Sequence, residues 1–293
     1  MKPDMSVNFA GIKMRNPVMA ASGTFGYGEE YASVVDVKKL GAIVLKSVTL
    51  KPRQGNPAPR LAETPCGLLN AIGIHNVGVE VLKKEKLPLL RNSGTPVIVN
   101  IWGENPGEFL EMVDILHNAE GIAGIEMNLS CPNVGGRLFA QDGAAAASLL
   151  KNVRKRCRVP LIAKLSPQVT DIVEIAKACE DAGADAVSLV NSFPAMAIDI
   201  AERKPLLGNV TGGLTGPAIR PIAVKMVWDV SRAVKIPVAG MGGIMSAVDA
   251  LEFILAGATS VAVGTGNFVN PGGTEEIVEG IEDYMIRNEF ASV

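Results

Sequence analysis

Ser246-Ala247-Val248-Asp249-Ala250-Leu251-Glu252-Phe253-Ile254-Leu255-Ala256-Gly257-Ala258-Thr259-Ser260-Val261-Ala262-Val263-Gly264-Thr265-Gly266 contains one complete unit of a repeating architecture. Ser246 is a good helix N-cap, with Asp249 three positions on. Leu251, Ile254 and Leu255 recur at helical spacing as an expected buried face, and Gly257 ends the helix. Ser260–Val263 is then a short apolar run, as in a parallel strand covered on both faces. Gly264-Thr265-Gly266 closes the unit with a glycine-rich turn.

The junction in this unit recurs. Leu40-Gly41-Ala42 and Ala182-Gly183-Ala184, like Ala256-Gly257-Ala258, each lead from a helical pattern into a strand pattern. Strands are expected at Val18–Ala21, Ala42–Leu45, Val97–Ile101, Gly124–Met127, Leu161–Leu165, Ala186–Val190, Val238–Gly240 and Ser260–Val263. Pro96, Pro160 and Pro237 each stand just before a strand, where a missing N–H does no harm. Thr170 precedes the helical pattern Ile172, Ile175 and Cys179, and Pro217 suits a first helical turn. Eight βα units in 293 residues favour a closed (β/α)8 TIM barrel, a single domain over 1–293 with inserted loops at its C-terminal mouth. An open doubly wound sheet is the other reading. Two connections are long, Val48 to Ile74 and Ser192 to Gly216, and long loops at that end of a barrel usually build or cover a site.

Composition narrows the functional classes. The net charge of −2 and the lack of a basic block interleaved with aromatics argue against a nucleic-acid partner. Arg154-Lys155-Arg156 reads as a solvated helix end. Nothing at Met1-Lys2-Pro3-Asp4 resembles a signal peptide and no apolar run reaches membrane-spanning length, so a cytoplasmic protein with no membrane partner is expected. The four cysteines, Cys66, Cys131, Cys157 and Cys179, are scattered, and His75 and His117 stand far apart. No disulfide framework or metal site is expected from them.

Residues at the strand ends would converge on one mouth. They include Ser22, Lys46-Ser47, Asn100, Asn128, Cys131, Lys164 and Asn191-Ser192. Gly242-Gly243 and Gly264-Thr265-Gly266 follow strands seven and eight, where barrels recurrently bind phosphate through backbone N–H groups and helix N-termini. The same glycines could serve tight turns alone. A Lys at the end of a short apolar strand is rarely there for packing, so Lys46 and Lys164 point to anionic groups or to charge formed in a reaction, against snorkelling to solvent. Asn70, Asn100, Asn128, Asn133 and Asn191 both donate and accept, as a flat ligand with carbonyl and imide edges requires; singly, such residues often serve turns or caps.

Asn128-Leu129-Ser130-Cys131-Pro132-Asn133 places a thiol among polar residues just past a strand. No His is available for a Cys-His pair, so Cys131 reads as a general base or acid acting alone. Cys66, Cys157 and Cys179 read as inert thiols, the last two on helices.

Taken with Ala21-Ser22-Gly23-Thr24-Phe25-Gly26, Lys46-Ser47, Asn70-Ala71-Ile72-Gly73, Ile162-Ala163-Lys164-Leu165-Ser166-Pro167, Thr211-Gly212-Gly213-Leu214-Thr215-Gly216-Pro217 and Gly242-Gly243-Ile244, this run resembles the dihydroorotate dehydrogenases. The likeness is strongest to the catalytic subunit of the NAD-linked class, class 1B. It implies a barrel with FMN at its mouth, oxidising dihydroorotate to orotate in pyrimidine (UMP) biosynthesis. FMN would contact Ser22, Lys46, Ser47, Asn100, Asn128, Lys164 and Val190, with its phosphate on Gly216, Gly242, Gly243, Gly264 and Thr265. Dihydroorotate would be held by Lys46, Asn70, Ala71, Ile72, Gly73, Ile74, Asn128, Asn133, Asn191 and Ser192. Cys131 would be the base. The resemblance further implies a partner subunit carrying FAD and a 2Fe–2S cluster that passes electrons to NAD, in a heterotetramer around a catalytic homodimer.

The one-chain, fumarate-linked class 1A is the nearest alternative. More distant are a flavin-free phosphate-binding isomerase or lyase barrel, an RNA dihydrouridine synthase and a non-enzymatic scaffold. One departure from the family stands at Val134-Gly135-Gly136-Arg137-Leu138-Phe139-Ala140-Gln141-Asp142-Gly143, where a short glycine-rich stretch ending in Phe-Gly is usual.

Overall fold

The apolar runs assemble into a closed barrel of eight parallel strands: β1 (Val18–Ala20), β2 (Ala42–Val44), β3 (Val97–Ile101), β4 (Gly124–Asn128), β5 (Leu161–Lys164), β6 (Ala186–Leu189), β7 (Val238–Met241) and β8 (Ser260–Val263). The computed structural model describes residues 2–91, 93–117, 119–130 and 139–293. Each strand neighbours the next in sequence, and β8 pairs with β1 through Val261 with Val18 and Val263 with Ala20. Closure, which periodicity alone could not decide against an open sheet, is therefore observed. The expected strand ends lie within one residue of those found.

Alternation along the strands divides the interior in two. One parity faces the helices: Val18, Ile43, Val99, Ile125, Ala163, Val187 and Val261 pack in a large cluster with Phe109, Leu149, Ile175, Val227 and Phe253 from the surrounding helices. The other parity fills the barrel: Met19, Val44, Ile98, Ile162, Ala186, Ala239 and Ala262 form a second apolar cluster. Phe9, Ile12 and Met14 belong to that second cluster. They come from an antiparallel hairpin, Val7–Phe9 with Ile12–Met14, that plugs the barrel where its strands begin.

Helix ends carry the capping chemistry their residue types supply. Ser246 Oγ accepts from the Asp249 amide, and the Asp249 carboxylate accepts from the Ser246 amide, a reciprocal capping box on Ala247–Leu255. The buried stripe of that helix differs from expectation. Phe253 and Ala250 form it, Leu251 and Ile254 flank it half-buried, and Leu255 is 67 % exposed. The reason is angular: Leu255 lies about 200° from Phe253 around the axis. The cap of Ile172–Asp181 is Asp171, not Thr170; its side chain accepts from the Val173 and Glu174 amides. Arg154 is not simply solvated. It pairs with Asp185 at 2.6 Å and donates to the carbonyls of Cys157 and Val159, which ends the helix Gly143–Arg154. Cys157 therefore lies beyond that helix rather than on one. Burial raises the Cys157 thiol and pushes Cys179 up to about 12, so both behave as inert apolar groups.

The two long connections contain regular structure that the sequence does not announce. Leu61–Thr64 and Gly67–Asn70 from the first pair with Gly212–Thr215 and Phe193–Ala195 from the second in one four-stranded antiparallel sheet. This sheet stands beside the C-terminal ends of the barrel strands, and Leu61, Leu68, Asn70 and Thr215 from it line the cavity there.

Candidate active site

At the C-terminal mouth the inward parity of the strands changes from apolar to polar. Asn100 on β3, Glu126 on β4, Lys164 on β5 and Ser188 on β6 are all buried. They form one connected network. Asn100 Nδ2 donates to Glu126 Oε1 at 2.5 Å, and Ser188 Oγ donates to Glu126 Oε2 at 2.7 Å. Lys164 Nζ lies 3.9 Å from Glu126 Oε1. Ser47 Oγ donates to Asn100 Oδ1 at 2.5 Å, and Ser22 Oγ lies 3.5 Å from Ser47 Oγ. A polar chain thus runs from the rim after β1 and β2 down to an ion pair within the barrel.

Above this network is a cavity of about 580 Å³. Ser22, Lys46, Ser47, Asn128, Lys164, Val190, Gly242, Gly243, Gly264 and Thr265, expected around a cofactor, line it. So do Asn70, Ile72, Gly73, Ile74, Asn191 and Ser192, expected around a substrate. Three expected residues stand behind this wall. Asn100 is fully buried and hydrogen-bonded to Ser47 and Glu126. Ala71 packs with Leu69 and Leu207 beneath the small sheet. Gly216 backs Gly243, its carbonyl oxygen 2.7 Å from where a Cβ there would stand. Cys131 and Asn133, and the stretch Val134–Leu138, lie outside the described residues.

Local structure explains how these groups are held. Asn128 Oδ1 accepts from Ser130 Oγ at 2.6 Å and from Asn191 Nδ2 at 3.3 Å, joining the ends of β4 and β6. Asn70 Nδ2 donates to the Gly213 carbonyl at 3.0 Å, across the small sheet. Ile74 has φ 52°, an uncommon conformation for a β-branched residue. Asn76 braces it: its Nδ2 donates to the Ile74 carbonyl at 2.7 Å and to Thr49 Oγ1 at 2.8 Å. Burial lowers the Lys46 ammonium from its ordinary range, with nearby Glu30 acting the other way.

The glycine turns differ from expectation in one respect. Gly264-Thr265 leads into a helix of only four residues, Gly266–Val269, and Gly242-Gly243 precedes Ala247–Leu255 by a short link. Helix dipoles therefore add little there, and any anion is held by backbone N–H groups of the turns themselves. Gly243 has φ +79°, and an added Cβ would also stand 2.8 Å from Arg220 Cβ. Gly243→Ala is expected to push the Gly216 turn outward and to lower, by about tenfold or more, occupancy by the flavin that the family resemblance implies. The flavin-to-protein absorbance ratio checks this.

Glu126, at the centre of this polar network, is the residue that sequence reasoning missed. A carboxylate within the apolar run Ile122–Met127 was the available signal.

The sequence model described as "Dihydroorotate dehydrogenase" matches residues 4–285. The chain belongs to the dihydroorotate dehydrogenase family. It is 55 % identical over 294 residues to a protein of Geotalea uraniireducens (strain Rf4), covering 100 % of this chain and 96 % of that one. It is 55 % identical over 295 residues to one of Pelobacter propionicus (strain DSM 2379 / NBRC 103807 / OttBd1), covering 100 % and 97 %. It is also 55 % identical over 294 residues to one of Geobacter sulfurreducens (strain ATCC 51573 / DSM 12127 / PCA), covering 100 % and 96 %. All three are named "Dihydroorotate dehydrogenase B (NAD(+)), catalytic subunit".

Dihydroorotate dehydrogenases are flavin enzymes, and the donor set here suits a flavin mononucleotide. Two ammonium groups, neutral amides and hydroxyls face the cavity, and two glycine turns present backbone N–H groups suited to a phosphate. Among the described residues no helix is long and apolar enough to cross a membrane.

Proposed function

We propose that this chain oxidises dihydroorotate to orotate as the FMN-binding catalytic subunit of an NAD-linked dihydroorotate dehydrogenase, with residues 1–293 acting as one domain. The observation that supports this most is the convergence of Lys46, Lys164, Asn70, Asn128 and Asn191 on one cavity in a chain of this family. FMN bound there supplies a two-electron acceptor for hydride.

The chain's own residues do the rest. Lys46 pairs with the substrate carboxylate. Asn70, Asn128, Asn133 and Asn191 hold the carbonyl and imide edges of the ring, with Ala71, Ile72, Gly73, Ile74 and Ser192 shaping that side. Cys131 takes the C5 proton while the C6 hydride leaves, so the C5–C6 bond becomes double and both electrons leave the substrate. Lys164 offsets the negative charge that the cofactor gains. Ser22, Ser47, Asn100 and Val190 position the ring system, and Gly216, Gly242, Gly243, Gly264 and Thr265 take the phosphate.

The names of the relatives support a separate partner subunit and NAD as the terminal acceptor. That partner carries FAD and a 2Fe–2S cluster, in a cytoplasmic heterotetramer built on a catalytic homodimer.

The test is spectroscopic. The purified chain is expected to be yellow with FMN and to bleach when dihydroorotate is added without oxygen. A colourless protein, or flavin that stays oxidised, overturns the proposal.

The lowered Lys46 ammonium gives a pH signature. As pH rises, Lys46 loses its charge earlier than an ordinary lysine, and the substrate carboxylate loses its partner. The alkaline limb of kcat/KM is therefore expected below the usual lysine range and to move upward in Lys46→Arg, because the guanidinium stays charged. Steady-state rates across pH read this directly.

A further inference from the structure

Of all the residues in the eight barrel strands, only Glu126 and Lys164 carry charge. Their side chains are 3 % and 8 % exposed. They share one interior with Asn100 and Ser188, which are neutral, and the opposite wall is apolar, with Met19, Ala239 and Ala262. Lys46 and Glu30, the other charged residues lining the cavity among the described residues, sit at the rim beyond the strands.

The geometry of this pair is asymmetric. Both Glu126 oxygens are engaged by short hydrogen bonds from neutral donors, Asn100 on one side and Ser188 on the other. They come from β3 and β6, so the carboxylate is fixed from both flanks. The Lys164 ammonium, by contrast, is 3.9 Å away and forms no direct hydrogen bond with it. Lys164 also lines the cavity, whereas Glu126 lies behind it. The carboxylate thus balances the ammonium electrostatically while leaving its N–H groups for a ligand.

We propose that Glu126 is a positioning and charge-setting residue. It holds Lys164 at the cavity floor and brings the net charge beneath the bound flavin close to zero. The inference rests on the flavin-binding function proposed above. A floor of near-zero net charge suits a cofactor that must both accept two electrons and release them. An uncompensated Lys164 would over-stabilise the reduced, more negative form; an uncompensated Glu126 would oppose it.

The test uses FMN-loaded protein and reads the flavin reduction potential by equilibration with a redox dye. Glu126→Gln preserves shape: its carbonyl accepts from Asn100 and its amide donates to the Ser188 oxygen. At a fixed potential this variant is expected to raise the ratio of reduced to oxidised flavin by about tenfold or more. Lys164→Gln is expected to lower that ratio, and the double variant to return near the parent value. Glu126→Asp, which keeps the charge, should stay within about twofold of the parent, on the reading that charge sets the effect.

A merely structural Glu126 would leave the potential unmoved or shift Asp and Gln variants alike, and either result overturns the inference. If Glu126→Gln does not fold, the comparison of Lys164→Gln with the double variant isolates the same charge, and equal ratios in those two overturn it. Failure of the parent protein to bind FMN would instead overturn the proposed function, so the two outcomes are distinct.

Discussion

Cys131→Ala is expected to retain FMN and to slow its reduction by dihydroorotate roughly 10²–10⁴-fold, the span usual for a lost general base. The argument starts from what surrounds the position. Ser130, the residue before it, lines the cavity and donates to Asn128 Oδ1, which also accepts from Asn191 Nδ2. The end of β4 is thus a fixed platform for the segment that follows. Among the described residues no histidine lines the cavity to act as an alternative base. A serine in place of Cys131 should keep partial activity that grows toward alkaline pH, because a hydroxyl gives up its proton at higher pH than a thiol. Anaerobic stopped-flow absorbance measures all three proteins. A rate unchanged in the alanine variant would remove Cys131 from the mechanism.

Lys164→Ala is expected to lower stability by about 3–5 kcal/mol, because it leaves the buried Glu126 carboxylate without its counter-charge. Hydrogen bonds from Asn100 and Ser188 hold that carboxylate in place, buried behind the cavity wall. The double variant Lys164→Ala/Glu126→Gln should recover most of the loss, since removing both charges of a buried pair costs far less than removing one. Urea unfolding of the apo-protein measures this without interference from ligand binding. Wild-type stability in the single variant would show that the pair is not coupled as its geometry implies. In the loaded protein the same substitution is expected to slow flavin reduction roughly 10²–10³-fold, the usual cost of losing a pre-placed charge-stabilising donor.

The barrel was legible because its signals are local. Glycine stops at Gly41, Gly183 and Gly257, apolar runs and prolines before strands each report on a few neighbouring residues. Most residues expected at the mouth line one cavity, since the ends of parallel strands in a barrel converge by geometry. What escaped reading depends on distant partners. Gly212–Thr215 looks like a turn because two of its four residues are glycine, and it is a strand only through pairing with Gly67–Asn70, far away in sequence. Leu255 fits a helical apolar pattern but faces outward, since Phe253 and Ala250 set the rotation of the helix. Glu126 stood in plain view within an apolar run. Its meaning comes from Asn100, Lys164 and Ser188, on three other strands.

The small antiparallel sheet also bears on how such chains can diverge. Asn70 and Gly213 face each other in its register, and a Cβ on Gly212 would stand 2.5 Å from the Asn70 carbonyl oxygen. A change in either long connection therefore has to be matched in the other. Across relatives, substitutions, insertions and deletions in 61–70 and 193–215 should be inherited in concert. A chimaera that takes one segment from a relative should lose dihydroorotate affinity, and exchanging both together should restore it.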